Sequence, residues 1–149
     1  MKITSGMLVL LLSLMFMTVY AADKALVISH KDKALQWTPC PDFIPKGCEI
    51  AVLQGDPAQK NADVYFKVPA DFEIPNHWHT SEERIVLVSG TLDVTYDNQE
   101  TVTIQTGEYA YGPAKLPHSA YCHQGEACVL YIGFVEPLDA IPVESTATR

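Results

Sequence analysis

The chain has 149 residues, 48% of them hydrophobic, and carries a formal net charge of −8 at pH 7. That length suits one domain with a substantial core. The acidic balance repels phosphate backbones and anionic lipid surfaces, so nucleic acid is excluded as an expected partner.

The first element in chain order follows Lys2, where an apolar run from Met7 to Tyr20 ends at the small residues Ala21 and Ala22. The run is shorter than the roughly 20 apolar residues that a spanning helix needs, and a small-residue cleavage site follows it. Residues 1–21 therefore read as a secretory signal peptide. The expectation is a protein exported to the periplasm or the exterior, with no stable membrane anchor after cleavage.

Residues 22–48 form an N-terminal segment that ends in the loop Cys40-Pro-Asp-Phe-Ile-Pro-Lys-Gly-Cys48. With Cys122 and Cys128 this makes four cysteines, an even number in a compartment where disulfides persist. Three connectivities are possible. Local sequence favours Cys40 with Cys48 across the Pro-rich loop and Cys122 with Cys128 across a hairpin. A structural zinc site is disfavoured, because no CxxC knuckle is present.

Residues 49–135 read as short apolar or alternating runs separated by turn residues, the pattern of an all-β sandwich or barrel. Strands are expected at 49–54, 64–68, 73–79, 83–89, 91–96, 101–105, 109–112, 118–123 and 127–134. Leu92, Val94 and Tyr96 alternate with Thr91, Asp93 and Thr95, which puts an apolar face inward and a polar one toward solvent. Asp97-Asn98 supplies a tight turn and Gln124-Gly125-Glu126 another. The tail 136–149, with two prolines and many small polar residues, reads as peripheral or partly disordered.

The chemistry lies in Pro75-Asn-His77-Trp-His79-Thr-Ser-Glu-Glu83-Arg-Ile-Val-Leu-Val-Ser-Gly90. On a strand His77 and His79 point the same way and Trp78 points the other. Glu83 opens the next strand and can bring a carboxylate to the same point. His118, after the turn stiffened by Pro113 and Pro117, offers a third imidazole. Three imidazoles and one carboxylate suit one divalent first-row ion: Fe, Mn, Zn, Ni or Cu. Glu82 is the rival of Glu83. His123 faces outward on a regular strand, and His30 lies in a charged, solvated segment. Tyr109, Tyr111 and Lys115 are candidate substrate contacts, since they flank the turn before His118.

These residues resemble the cupin family. The pattern HxH, three residues, Glu, six residues, Gly matches its first motif at His77, His79, Glu83 and Gly90, and that spacing selects Glu83 over Glu82. The second motif is matched at Gly107, Pro113 and His118, sixteen residues further on. Asp71, Lys115 and Cys122 depart from the family's Gly, Gly and Asn. A Lys in place of Gly puts the turn conformation at Lys115 in question.

The resemblance implies an all-β, cupin-type jelly-roll barrel with all four metal ligands kept. It also implies a small exported cupin related to ChrR-type domains, and a possible homodimer. The function it implies is metal-dependent chemistry on a small molecule, dioxygenase-like first and isomerase or lyase behind it. The alternative is a non-catalytic small-ligand, metal-binding or sensor protein of the cell envelope.

Overall fold

The computed structural model describes residues 24–144, so the expected signal segment 1–21 lies outside the described residues. Period-two burial governs the described chain. Glu83, Ile85, Leu87 and Ser89 are buried while Arg84, Val86 and Val88 face away, because successive side chains on a strand leave on opposite sides.

Eleven strands form, and no helix is present among the described residues. They are β1 (Thr38–Pro39), β2 (Glu49–Gln54), β3 (Ala62–Val68), β4 (Phe72–Trp78), β5 (Glu83–Ser89), β6 (Thr91–Tyr96), β7 (Val102–Gln105), β8 (Tyr109–Gly112), β9 (His118–Cys122), β10 (Cys128–Phe134) and β11 (Ile141–Pro142). A six-stranded sheet in the order β1-β2-β3-β10-β5-β8 packs on a five-stranded sheet in the order β11-β4-β9-β6-β7. Every pairing is antiparallel. The core between the sheets includes Val64, Val68, Leu87 and Leu92, each at most 1% exposed. This is the jelly-roll architecture the sequence implies.

Both disulfides form as the local sequence favours, Cys40–Cys48 and Cys122–Cys128, and no described cysteine is free. The second bond explains Gly90. Its φ is 87°, and a Cβ there would stand 2.9 Å from Cys128 Sγ and 3.0 Å from Cys128 Cα, so backbone conformation and space both require glycine.

Where the family has glycine, Asp71 and Lys115 adopt the same left-handed backbone, at φ 58° and 61°. The turn is kept despite the side chain, at a cost of roughly 1–2 kcal/mol for a non-glycine residue. Asp71 is compensated: its Oδ1 accepts a 2.6 Å hydrogen bond from the Tyr121 hydroxyl.

Two features depart from the sequence reading. As far as residue 144, the C-terminal segment is tied to the barrel: Ile141 and Pro142 pair with Trp78 and His77 as an edge strand, and Val143 N–H donates to Asn76 O at 3.0 Å, while 145–149 lie outside the described residues. The cause is that β4 otherwise has an open edge, and pairing satisfies its backbone groups. The second departure is β4 itself, which is bulged. Ile74 faces Ala120 and His77 faces His118, so Pro75-Asn76 span the place opposite one residue, Ser119. Phe72 and Ile74 point inward, and the extra residue shifts the phase so that His77 and His79 point inward as well. Proline, lacking an N–H, is suited to that place.

Candidate metal centre

The site lies between the sheets. His77 on β4, His118 on β9 and Tyr96 on β6 form one row across three neighbouring strands, through the register pairs His77↔His118 and Tyr96↔His118. His79 follows directly after β4, and Glu83 reaches across from β5 of the other sheet. Glu83, His77, His79 and His118 are all buried, at 3–8% exposure. The potential ligand nitrogens of the three histidines lie within 4.8 Å of one another. Glu83 Oε1 is 3.4 Å from His79 Nε2, and its Oε2 is 3.6 Å from His118 Nε2.

Each imidazole is held by a backbone carbonyl. His77 Nδ1 donates to Pro75 O at 2.7 Å, His118 Nδ1 donates to Leu116 O at 3.1 Å, and His79 Nδ1 donates to Asp139 O. A carbonyl can only accept, so each ring carries its proton on Nδ1 and turns an Nε2 lone pair toward the centre.

Burial lowers the pKa of all three rings. His79 falls to about 4, through burial first and then against the raising effect of the Asp139 carbonyl, with His77 lowering it further. His118 falls to about 3, through burial and the neighbouring His77. His77 is lowered by burial. Glu83 moves the other way, pushed up to about 8 by burial.

Neutral imidazoles facing a carboxylate present four acceptors to one point and no donor. That set is mutually repulsive unless a cation or a proton sits among it, and nitrogen with one carboxylate is the donor chemistry of a first-row divalent metal. The residues therefore fit such an ion.

Around this point the barrel encloses a cavity of about 70 Å³ with walls that include Ile44, Phe66, Ile85, Leu130 and Leu138. The Cys40–Cys48 loop supplies part of the closure: Ile44 is buried, and the Phe43 ring lies 5.9 Å from that of His77. Tyr96 also lines the cavity. Its hydroxyl is buried without a hydrogen-bond partner, and its pKa is raised by burial and by the charge of Glu83.

Gly112, paired with Glu83 across β5 and β8, makes that approach possible. A Cβ at Gly112 would come within 3.0 Å of both the Glu83 carboxylate and the Tyr96 hydroxyl.

Tyr109, Tyr111 and Lys115 do not line the metal cavity. Tyr109 and Tyr111 are 62% and 52% exposed, because Ala110 between them pairs with inward-facing Ile85 and so takes the inward place on β8. They border an open cleft between β7 and β8 that shares Tyr96 with the cavity. The Lys115 side chain is exposed, and its contribution is a backbone N–H donated to His79 O at 2.8 Å. Glu82 is only partly buried, while Glu83 turns inward. His123 is partly exposed and lies 3.0 Å from Asp93.

The sequence singles out neither Asp139 nor Ile44, and it offers Tyr109 and Tyr111 rather than Tyr96 as substrate contacts. Tyr96 carried a usable signal in its shared phase with Leu92 and Val94.

A family model for the cupin domain matches residues 64–134, the stretch that holds both motifs and all four residues around the centre. This chain carries a cupin domain. Solved structures agree. A conserved protein of unknown function from Streptococcus pyogenes is 25% identical, with 64% of this chain and 81% of that chain covered and a TM-score of 0.52. The polyketide cyclase RemF from Streptomyces resistomycificus is 20% identical, with coverage of 83% and 89% and a TM-score of 0.64. The DMSP lyase DddQ from Ruegeria pomeroyi is 14% identical, with a TM-score of 0.64; the match covers 76% of the cupin and 64% of the lyase. The last two likenesses bear on fold alone. No curated protein sequence matches the chain.

The disulfides of this cupin point to a non-reducing, extracellular setting. No helix among its described residues is long and apolar enough to cross a membrane.

Proposed function

We propose that this cupin is an exported, divalent-metal enzyme acting on a small, largely apolar molecule that carries an oxygen chelating group. The ligands in this reading are His77, His79, Glu83 and His118. The observation that carries it is the locking of all three imidazoles by backbone carbonyls, with every Nε2 lone pair turned to one buried point. Around a five- or six-coordinate ion, three nitrogens and one carboxylate leave one or two positions for a substrate, which is the mark of a working centre rather than a closed structural one. When bound there, a first-row ion supplies Lewis acidity toward a substrate oxygen, or a seat for dioxygen.

Of the two reaction classes this suggests, Tyr96 favours isomerase or lyase chemistry over dioxygenation. With Glu83 ionised as a ligand, the Tyr96 hydroxyl beside it is a proton-bearing group left free at the cavity wall, and it keeps its proton at neutral pH. That suits a general acid, or a base whose pKa falls once an ion neutralises Glu83. The apolar wall selects a substrate body without charge. Like folds that carry out lyase and cyclase reactions are in keeping with this reading.

The test uses the metal-loaded protein with 1,3-diketones and 2-hydroxyketones, followed for solvent deuterium incorporation and oxygen uptake. Deuterium incorporation lost in Tyr96→Phe supports the proposal. Oxygen uptake without deuterium exchange moves the assignment to dioxygenation. Tight binding with neither signal gives the non-catalytic binding protein, which is the second reading.

A further inference from the structure

The segment from Val135 to Val143 is fastened to the turn that joins two of the metal-facing residues. At one end, the Val135 and Glu136 N–H groups donate to Ser81 Oγ at 2.9 and 3.0 Å, and Ser81 is fully buried. In the middle, the Asp139 carboxylate accepts from Thr80 N–H at 2.9 Å and from the Thr80 hydroxyl at 2.5 Å, while its backbone oxygen accepts from His79 Nδ1. At the far end, two residues of β11 pair with Trp78 and His77. Leu138, Asp139 and Ala140 form part of the cavity wall.

We infer that this strap is a working part of the metal site, with Asp139 as a positioning residue, and that strap seating and metal binding strengthen each other. The inference rests on the metal reading above. The reasoning begins with the His79 ring. Its Nε2 can face the centre only while Nδ1–H has an acceptor, and the acceptor comes from the strap rather than from the barrel. His77 and His118 differ, since each is held by a carbonyl two residues earlier in its own segment.

The Asp139 carboxylate fixes the height of its own carbonyl by capping Thr80. The strap itself is a small cooperative unit: apart from its bonds to Thr80 and Ser81 it is held by a two-residue edge strand, by single backbone bonds from Leu138 N–H to Pro57 O and from Asn61 N–H to Val135 O, and by an exposed Lys60–Glu136 pair, so it can lift without unfolding the barrel. Lifting removes the acceptor of His79 and part of the cavity wall in one motion. By linkage, the factor by which a seated strap tightens the ion equals the factor by which the ion tightens the strap.

The experiment is metal titration and amide hydrogen exchange on the full protein, with Ni²⁺ or Zn²⁺ alone as the probe. Variants are Asp139→Ala, Asp139→Asn and, as a control on the same strap, Glu136→Ala. Loss of the cap in Asp139→Ala should weaken metal binding roughly 10- to 100-fold, the range for outer-shell partners of a metal-bound histidine. Asp139→Asn keeps an oxygen for Thr80 N–H and should stay near wild type, as should Glu136→Ala, which keeps the backbone N–H on Ser81 and loses only an exposed pair with Lys60. In the wild-type protein, metal should slow exchange over residues 138–143 well beyond any slowing in β3 or β10.

Equal metal affinity in wild type and Asp139→Ala, or strap exchange indifferent to metal, would overturn the inference. If Asp139→Ala does not fold, the wild-type exchange comparison still decides. A wild-type protein that takes up no ion instead sinks the metal reading, and the two failures are thereby told apart.

Discussion

Raising the pH from 6 to 8 should tighten metal binding about fiftyfold, and nearly all of that gain should pass through Glu83. In the metal-free protein burial holds the Glu83 carboxyl at about 8, while His79 and His118 are already neutral above about 4 and 3 and burial lowers His77 below the ordinary imidazole range. The ion needs a carboxylate and neutral imidazoles. Across this window it therefore displaces a single proton, from Glu83. The sign follows: a raised carboxyl pKa populates the acid form below 8, protons compete with the metal there, and Kd falls close to tenfold per pH unit before levelling.

Calorimetric titration with Ni²⁺ in two buffers of different ionisation heat counts the released protons. One proton per ion at pH 7 is expected for the wild type and none for Glu83→Gln, whose binding should be weaker and flat with pH. Two or three protons per ion would mean that the histidines are charged in the free protein, and the tautomer argument would fail. A flat wild-type profile would remove Glu83 from the site.

The same shifts set the stability of the metal-free protein. Below about 6.5 the unfolded chain takes up histidine protons that the buried rings refuse, and between about 4.5 and 8 the folded state holds a Glu83 proton that the unfolded chain releases; metal-free Tm should therefore rise with pH to about 6.5 and fall from there to about 8, and metal should abolish the fall. Gly112→Ala should push the Tyr96 hydroxyl or the Glu83 carboxylate out of place, costing about 1–3 kcal/mol and at least tenfold in metal affinity, read by denaturant melts and chelator competition. Lys115→Gly should gain about 0.5–1 kcal/mol, since relief of a left-handed backbone exceeds the added freedom of the unfolded chain; a loss would mean that the lysine side chain has a compensating contact. Replacing Cys40 and Cys48 together by Ser should cost about 2.5 kcal/mol through the freed loop and speed amide exchange at Phe43 and Ile44.

Much of the site was legible because its signals are local. Alternation located nine strands, and the spacing of His77, His79, Glu83 and His118 placed those residues in or beside three strands, β4, β5 and β9, that the two packed sheets then bring together. What sequence could not give was phase and distance. Strict alternation from Phe72 and Ile74 would have turned His77 and His79 outward, and only the bulge at Pro75-Asn76 makes the motif point in.

Asp139 lies far along the chain from His79, in a segment whose composition resembles a loose tail; its role depends on an edge of β4 that composition does not reveal. Tyr109 and Tyr111 are offered by the sequence because they precede the turn that leads to His118. Pairing of Ala110 with Ile85 turns them to the surface, and Tyr96 takes the place beside Glu83.

The most direct measurement is elemental analysis of the protein, purified from its native compartment without chelators, beside the His118→Ala variant. One ion per chain in the wild type, largely absent from the variant, is the expected result. A wild-type protein that carries no ion, and takes up none of Fe²⁺, Mn²⁺, Zn²⁺, Ni²⁺ or Cu²⁺ on reconstitution, would contradict the metal centre and the enzyme built upon it.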